Sequence, residues 1–220
     1  MDNINRIKNN IQDLFVKNIR WISLFLSFMC FLFIAEDVMD KEIMSFDSNC
    51  YNIISKYLIN DTMTKIAKLI TIFGGTYFLI ICAIVLVITI KNNRIKICIA
   101  LNLPLAALIN YTVKQIVQRP RPEEYRIINE SGYSFPSGHS MVSMAFYGLL
   151  IYWIIKHVEN KYYKYILVTL LGMLIILIGT SRIYLGVHYT SDVIAGFLIA
   201  FSYLIIFISI IESLNKKIDN

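Results

Sequence analysis

The chain has 220 residues, of which 57% are hydrophobic and only 16% charged, with a formal net charge of +6 and a mean hydropathy of +0.60. A soluble domain of this length carries about a quarter charged residues, so these proportions exclude an ordinary soluble domain. The apolar residues gather into blocks that approach the roughly 20 residues needed to cross a bilayer, which also excludes a soluble domain on a single anchor.

Six blocks follow in chain order, at 21–35, 66–90, 97–113, 141–155, 165–180 and 193–211. They predict an all-α, integral membrane six-transmembrane-helix bundle. It forms a single membrane-embedded domain over residues 1–220, with a motif-bearing core at about 97–211. Several blocks are short for a full span, so the helices extend into flanking polar residues. The third block contains Pro104, which a membrane helix tolerates as a kink. The first has the basic flank of a signal peptide (Arg6, Lys8, Lys17, Arg20). Its apolar run ends at Phe33-Ile34-Ala35-Glu36 without a small-x-small cleavage site, so it is read as a retained span.

With six spans, the basic short segments all fall on one side: the N-terminal segment, the 91–96 turn (Lys91, Arg94, Lys96), the 156–164 turn (Lys156, Lys161, Lys164) and the C-terminus (Lys216, Lys217). Positive charge on short loops marks the cytoplasmic face. The expectation is a multi-pass protein of the cell (plasma) membrane with both termini cytoplasmic. Segments 36–65, 114–140 and 181–192 then lie outside. In the first of these, Tyr51, Ile54 and Leu58 share one helical face, as an interfacial helix would show; a loop with chance apolar residues is the alternative. Cys30, Cys82 and Cys98 sit inside apolar blocks and behave as small hydrophobes, while Cys50 stands alone in the outer segment. No cysteine spacing suits zinc or a disulfide framework. Asn60-Asp61-Thr62 matches a glycosylation sequon, which matters only in a eukaryotic secretory pathway.

Three clusters on the outer side carry chemistry. Lys114 and Arg121 are seven residues apart at the end of the third block, hence on one helix face unless the intervening prolines turn the chain. They are suited to an anion or, more plainly, to anchoring against headgroups. Pro136-Ser137-Gly138-His139 precedes the fourth block. Free N–H groups at a helix start bind anions, Ser137 can donate its hydroxyl, and Gly138 permits close approach; a simple helix cap is the alternative. Ser181-Arg182 leads to His188 and Asp192, which are four apart and so on one helical face. A carboxylate there can hold one imidazole nitrogen and leave the other free to attack, while Arg182 offers a planar fork for phosphate oxygens. A surface His–Asp pair is the plainer reading. Of the three histidines, two fall in these clusters; His157 lies in a cytoplasmic turn. Cations, a helix start and two histidines on one side fit a phosphoryl group losing its ester.

The clusters together resemble the three-part signature of the type 2 phosphatidic acid phosphatase superfamily: Lys, six residues, Arg-Pro; Pro-Ser-Gly-His; then Ser-Arg, five residues, His, three residues, Asp. Lys114 to Arg121-Pro122, Pro136 to His139, and Ser181-Arg182 to His188 to Asp192 match every spacing. The resemblance implies that Lys114, Arg121 and Arg182 bind phosphate, helped by the Ser137 hydroxyl and the Gly138 backbone. It implies that His188 forms a phosphohistidine, that Asp192 orients it, and that His139 protonates the leaving group and then activates water. It also implies no metal and no cofactor. Soluble vanadate-binding haloperoxidases share the family, but six spans argue against that branch. The expected partner is a membrane lipid phosphate and no nucleic acid is expected. Undecaprenyl diphosphate, phosphatidic acid and phosphatidylglycerol phosphate are the candidates. A lipid phosphotransferase, or a non-enzymatic lipid-binding or transport protein, is the alternative class.

Overall fold

The computed structural model of the chain describes residues 2–40, 45–123 and 126–218, with side chains described for all of these except 2–17, 55 and 215–218. They form α1 (Asp2–Met39), α2 (Ser45–Tyr57), α3 (Asp61–Ile72), α4 (Thr76–Thr89), α5 (Asn93–Val117), α6 (Gly138–His157), α7 (Lys161–Tyr184) and α8 (Thr190–Ile218). No strand occurs among the described residues, so the all-α expectation holds.

Five helical stretches are long and apolar enough to cross a membrane: Asn18–Met39, Asn93–Val117, Gly138–His157, Lys161–Tyr184 and Thr190–Leu214. The block at 66–90 is not one straight helix. It is the pair α3 and α4, bent by 45° at a break, and counting the pair as one span gives six. The break lies at Gly74 and Gly75 for a packing reason. A Cβ on Gly74 would stand 2.4 Å from Ile178 Cγ2 and 3.4 Å from His139 Cδ2, so only glycine lets the backbone lie against α7 and the start of α6. The carbonyl of Phe73 accepts from the Tyr147 hydroxyl at 2.8 Å, which satisfies a backbone group freed by the break, as a membrane interior demands.

The spans run several residues beyond the apolar blocks because capping residues are polar and escape a hydropathy pattern. Asn92 accepts from the backbone N–H groups of Arg94 and Ile95, and Asn160 from those of Tyr162 and Tyr163, each capping the following helix. α6 is central, packed against α5, α7 and α8; α1 lies along α8, α3 along α7 and α4 along α5. Large apolar side chains such as Phe25, Phe33, Ile88, Leu108 and Ile176 are exposed, as a lipid-facing surface requires.

The 36–65 segment is mostly helical. The face of Tyr51 and Ile54 turns toward the protein: Ile54 packs against the cluster of Ala67, Tyr184, Leu185 and Val187. Leu58 lies just beyond the end of α2 and is exposed. The outward apolar side of α2 is instead Phe46, Ile53 and Tyr57, all exposed.

Candidate active site

The chain direction brings one set of helix ends together: the C-terminal ends of α5 and α7 and the N-terminal ends of α6 and α8. This end holds most of the buried polar side chains, including Asn110, Ser137, Ser140, Arg182, His188, Ser191 and Asp192. A concentration of buried polar groups at one end of a membrane bundle marks a site rather than a packing core.

The turn between α7 and α8 places His188, only 3% exposed. Its Nδ1 lies 3.3 Å from Asp192 Oδ2. The ionised carboxylate can only accept, so Nδ1 carries the proton and Nε2 presents its lone pair. That lone pair faces Arg121 Nη1 at 3.1 Å. Asp192 Oδ2 also accepts the backbone N–H of Tyr189 at 2.9 Å. Burial pushes the His188 pKa down to about 4 against the opposing pull of Asp192, and neighbouring Arg121 and Arg182 add to the lowering. At neutral pH the ring is uncharged.

The start of α6 is a capped helix terminus. Ser137 Oγ accepts from the Ser140 backbone N–H at 3.4 Å and from the Ser140 hydroxyl at 2.9 Å. The Ser137 N–H donates to the Asp192 carbonyl at 2.9 Å, which ties this terminus to α8. Closeness here is again a glycine matter: a Cβ on Gly196 would come within 2.9 Å of the Ser137 carbonyl oxygen. His139 lies beside the Gly74–Gly75 break and within electrostatic reach of Arg182, Glu130, His188 and Arg121.

The three cations expected to hold phosphate all converge on this end, and each has a protein acceptor. Lys114 Nζ donates to the carbonyls of Tyr133 and Ser134. Arg121 donates to the carbonyls of Gly132 at 3.0 Å, Ser131 at 3.1 Å and Val187 at 2.9 Å. Arg182, 1% exposed, donates to Thr71 Oγ1 at 2.8 Å and pairs with Glu130 Oε1 at 2.5 Å, while its buried Nε has no partner among the described residues. Burial alone would raise the Glu130 pKa, but the Arg182 guanidinium overrides it and holds the carboxyl below its ordinary range.

Sequence reasoning passed over four participants. Arg119 lies inside the first motif without an assigned role, yet it is the residue that grips Asp192, with Nη1 2.7 Å from Oδ1. Asp47 on α2 holds the other side of Arg119 at 2.9 Å. Burial lowers the Arg119 pKa, but these two carboxylates more than reverse it and leave it raised. Glu130 and Ser191 complete the set. The Arg119-Pro120 repeat before Arg121-Pro122 was the only local signal; nothing in the sequence ties Asp47 to a motif 72 residues away. Among the described residues no group of three or more His, Cys, Asp or Glu side chains is arranged to hold a metal ion.

Such an end, sunk in a helical bundle with lipid-facing walls, gathers three cations and a buried imidazole; the fold and the site together define a membrane-embedded phosphatase. A family model for the PAP2 superfamily matches residues 95–216, and the chain belongs to that superfamily. Phosphatidylglycerophosphatase B of Bacillus subtilis (strain 168) is 30% identical over 178 residues, covering 77% of this chain and 85% of that protein. Undecaprenyl-diphosphatase of Sulfolobus acidocaldarius is 26% identical, covering 64% of this chain and 65% of that protein. The crystal structure of the transmembrane PAP2 type phosphatidylglycerolphosphate phosphatase from Bacillus subtilis superposes with a TM-score of 0.74 at 26% identity, covering 89% of this chain and 97% of that one.

Proposed function

We propose that the chain hydrolyses the phosphomonoester or diphosphate of a membrane lipid through a phosphohistidine at His188. The observation that carries this reading is the held, neutral His188, with Nδ1 on Asp192 and the Nε2 lone pair beside Arg121. His188 Nε2 attacks phosphorus as the P–O bond to the lipid breaks, and His139 gives its proton to the departing oxygen. Water then attacks phosphorus, His139 takes the water's proton, and the P–N bond breaks to release phosphate. Lys114, Arg121 and Arg182 exchange their protein acceptors for phosphoryl oxygens, with Ser137 and the Gly138 backbone beside them. Cations set in place before reaction stabilise charge on the equatorial oxygens without reorganisation.

The lipid candidates are phosphatidylglycerol phosphate, undecaprenyl diphosphate and phosphatidic acid. The names of the Bacillus and Sulfolobus relatives support the first two. The site faces outside and both termini are cytoplasmic: the basic turns at 91–96 and 156–164 lie at the end of the bundle opposite the site.

The test is phosphate release from a panel of these lipids in detergent micelles, with and without EDTA, by the wild type and by His188→Ala. Turnover by wild type in EDTA, its loss in His188→Ala, and an acid-labile phosphoenzyme are expected. Full turnover by His188→Ala would remove the nucleophile assignment.

A further inference from the structure

Asp47 lies outside the family match, on α2, and is only 2% exposed. Its Oδ1 accepts the Ser191 N–H at 2.8 Å, and its Oδ2 accepts the Ser191 hydroxyl at 2.7 Å and Arg119 Nη2 at 2.9 Å. Arg119, 8% exposed, stacks 4.0 Å over the Tyr189 ring. Its Nη1 reaches Ser191 Oγ at 2.8 Å and Asp192 Oδ1 at 2.7 Å. The second Asp192 oxygen faces His188. Asp47, Arg119, Asp192 and His188 thus form one continuous buried chain.

The charges along that chain have a consequence for the reaction. Two carboxylates share one guanidinium, so a net charge of −1 stands behind His188 Nδ1. Attack through Nε2 leaves the imidazole ring cationic, and a fixed anion behind it stabilises that charge in a buried, low-dielectric setting. Without Asp47, Arg119 would pair with Asp192 alone and cancel its charge toward the ring. The Asp47 bonds also fix the guanidinium that stops Asp192 from turning away.

We propose that Asp47 is a positioning residue for the phosphatase reaction, acting through Arg119 to hold Asp192 and to keep one net negative charge behind His188. The proposal rests on the reading of His188 as the nucleophile.

The test uses the full chain in detergent micelles, with phosphate release from dioctanoyl phosphatidic acid as readout. The variants are Asp47→Asn, the double variant Asp47→Asn/Arg119→Gln, and His188→Ala. Asp47→Asn keeps the volume and an acceptor for Ser191. Its kcat is expected to fall by about 10- to 100-fold, the range that a small misplacement of a reacting group produces. KM and the inhibition constant for inorganic phosphate should stay within about twofold, because no phosphate-binding group is touched. The double variant keeps a net charge of −1 on Asp192 but loses the guanidinium that holds it, so it isolates the positioning effect and should still lose about tenfold in kcat. A kcat within about twofold of wild type in folded Asp47→Asn overturns the proposal, and so does a loss expressed in KM. Should Asp47→Asn not fold, the double variant decides, and wild-type kcat there overturns it. Failure of both to fold would assign Asp47 to folding alone and also overturn it. Turnover by His188→Ala would sink the phosphohistidine reading itself. An inactive His188→Ala beside a fully active Asp47→Asn would sink only this inference.

Discussion

The Glu130 carboxylate pairs at 2.5 Å with the guanidinium of Arg182, a residue that is 1% exposed and stands at the end of the bundle where the ends of α5 and α7 meet the starts of α6 and α8. Glu130 itself is 31% exposed, so the carboxylate can swing into water while Arg182 cannot. An anion arriving at Arg182 therefore competes with a tethered one. Replacing Glu130 by Gln keeps a neutral acceptor and removes the charge. The expected outcome is tighter inhibition by inorganic phosphate and orthovanadate, by about three- to tenfold, where tenfold corresponds to ~1.4 kcal/mol. Inhibition constants measured at fixed substrate check this. Unchanged or weaker inhibition would mean that Glu130 does not compete for the cation.

With His188 as the proposed nucleophile, its pKa sets the expected acid limit of the reaction. Burial holds it at about 4, below the ordinary histidine value of about 6.5. Attack needs the neutral ring, so kcat/KM is present above about pH 4 and lost below it. A profile of kcat/KM against pH should show no fall with midpoint near 6.5 attributable to this residue. Stability follows the same sign: as pH falls from about 6.5 toward 4 the unfolded chain takes up a proton that the folded ring refuses, so stability declines through that window. Asp192 raises the His188 pKa, so Asp192→Asn should move the acid limit lower still. It should also cost roughly 10²- to 10⁴-fold in kcat by losing the held tautomer.

How much of this was legible in the sequence depended on whether a signal was local. Lys114, Arg121, Ser137, His139, Arg182, His188 and Asp192 stand at helix ends with fixed spacings, and they meet at one end because four helix termini do. The spans were legible because lipid demands apolar side chains. The 45° break was not: a hydropathy pattern averages over Gly74 and Gly75, and their purpose lies in Ile178 and His139, distant in sequence. The inward face of α2 was also hidden. Tyr51 and Ile54 give the same apolar stripe whether it meets lipid or protein, and Asp47 looks like any loop acid until Arg119 is placed beside it.

The break at Gly74 offers a separate test. Gly74→Ala places a methyl where Ile178 Cγ2 would be 2.4 Å away and His139 Cδ2 3.4 Å. Ile178 is fully buried, and a β-branched side chain has no free rotamer to yield into. Overpacking of this kind costs about 1–3 kcal/mol. A lower Tm is expected together with a fall in kcat, because the displaced contact includes His139. A Tm shift with kcat unchanged would separate the break from the placement of His139.

Orientation can be decided by labelling, because the site and the basic turns occupy opposite ends of the bundle. Glu123 is exposed in the segment between α5 and α6, on the side of the site, and Lys91 is exposed in the turn between α4 and α5, at the other end. In a background with Cys30, Cys50, Cys82 and Cys98 replaced, Glu123→Cys should react with a membrane-impermeant maleimide on intact cells. Lys91→Cys should react only after the membrane is opened. Short loops rich in Lys and Arg stay on the cytoplasmic side, and the 91–96 turn carries Lys91, Arg94 and Lys96 within six residues. The reverse pattern, with Lys91→Cys labelled from outside and Glu123→Cys protected, would turn the site toward the cytoplasm and with it the leaflet from which the lipid phosphate is drawn.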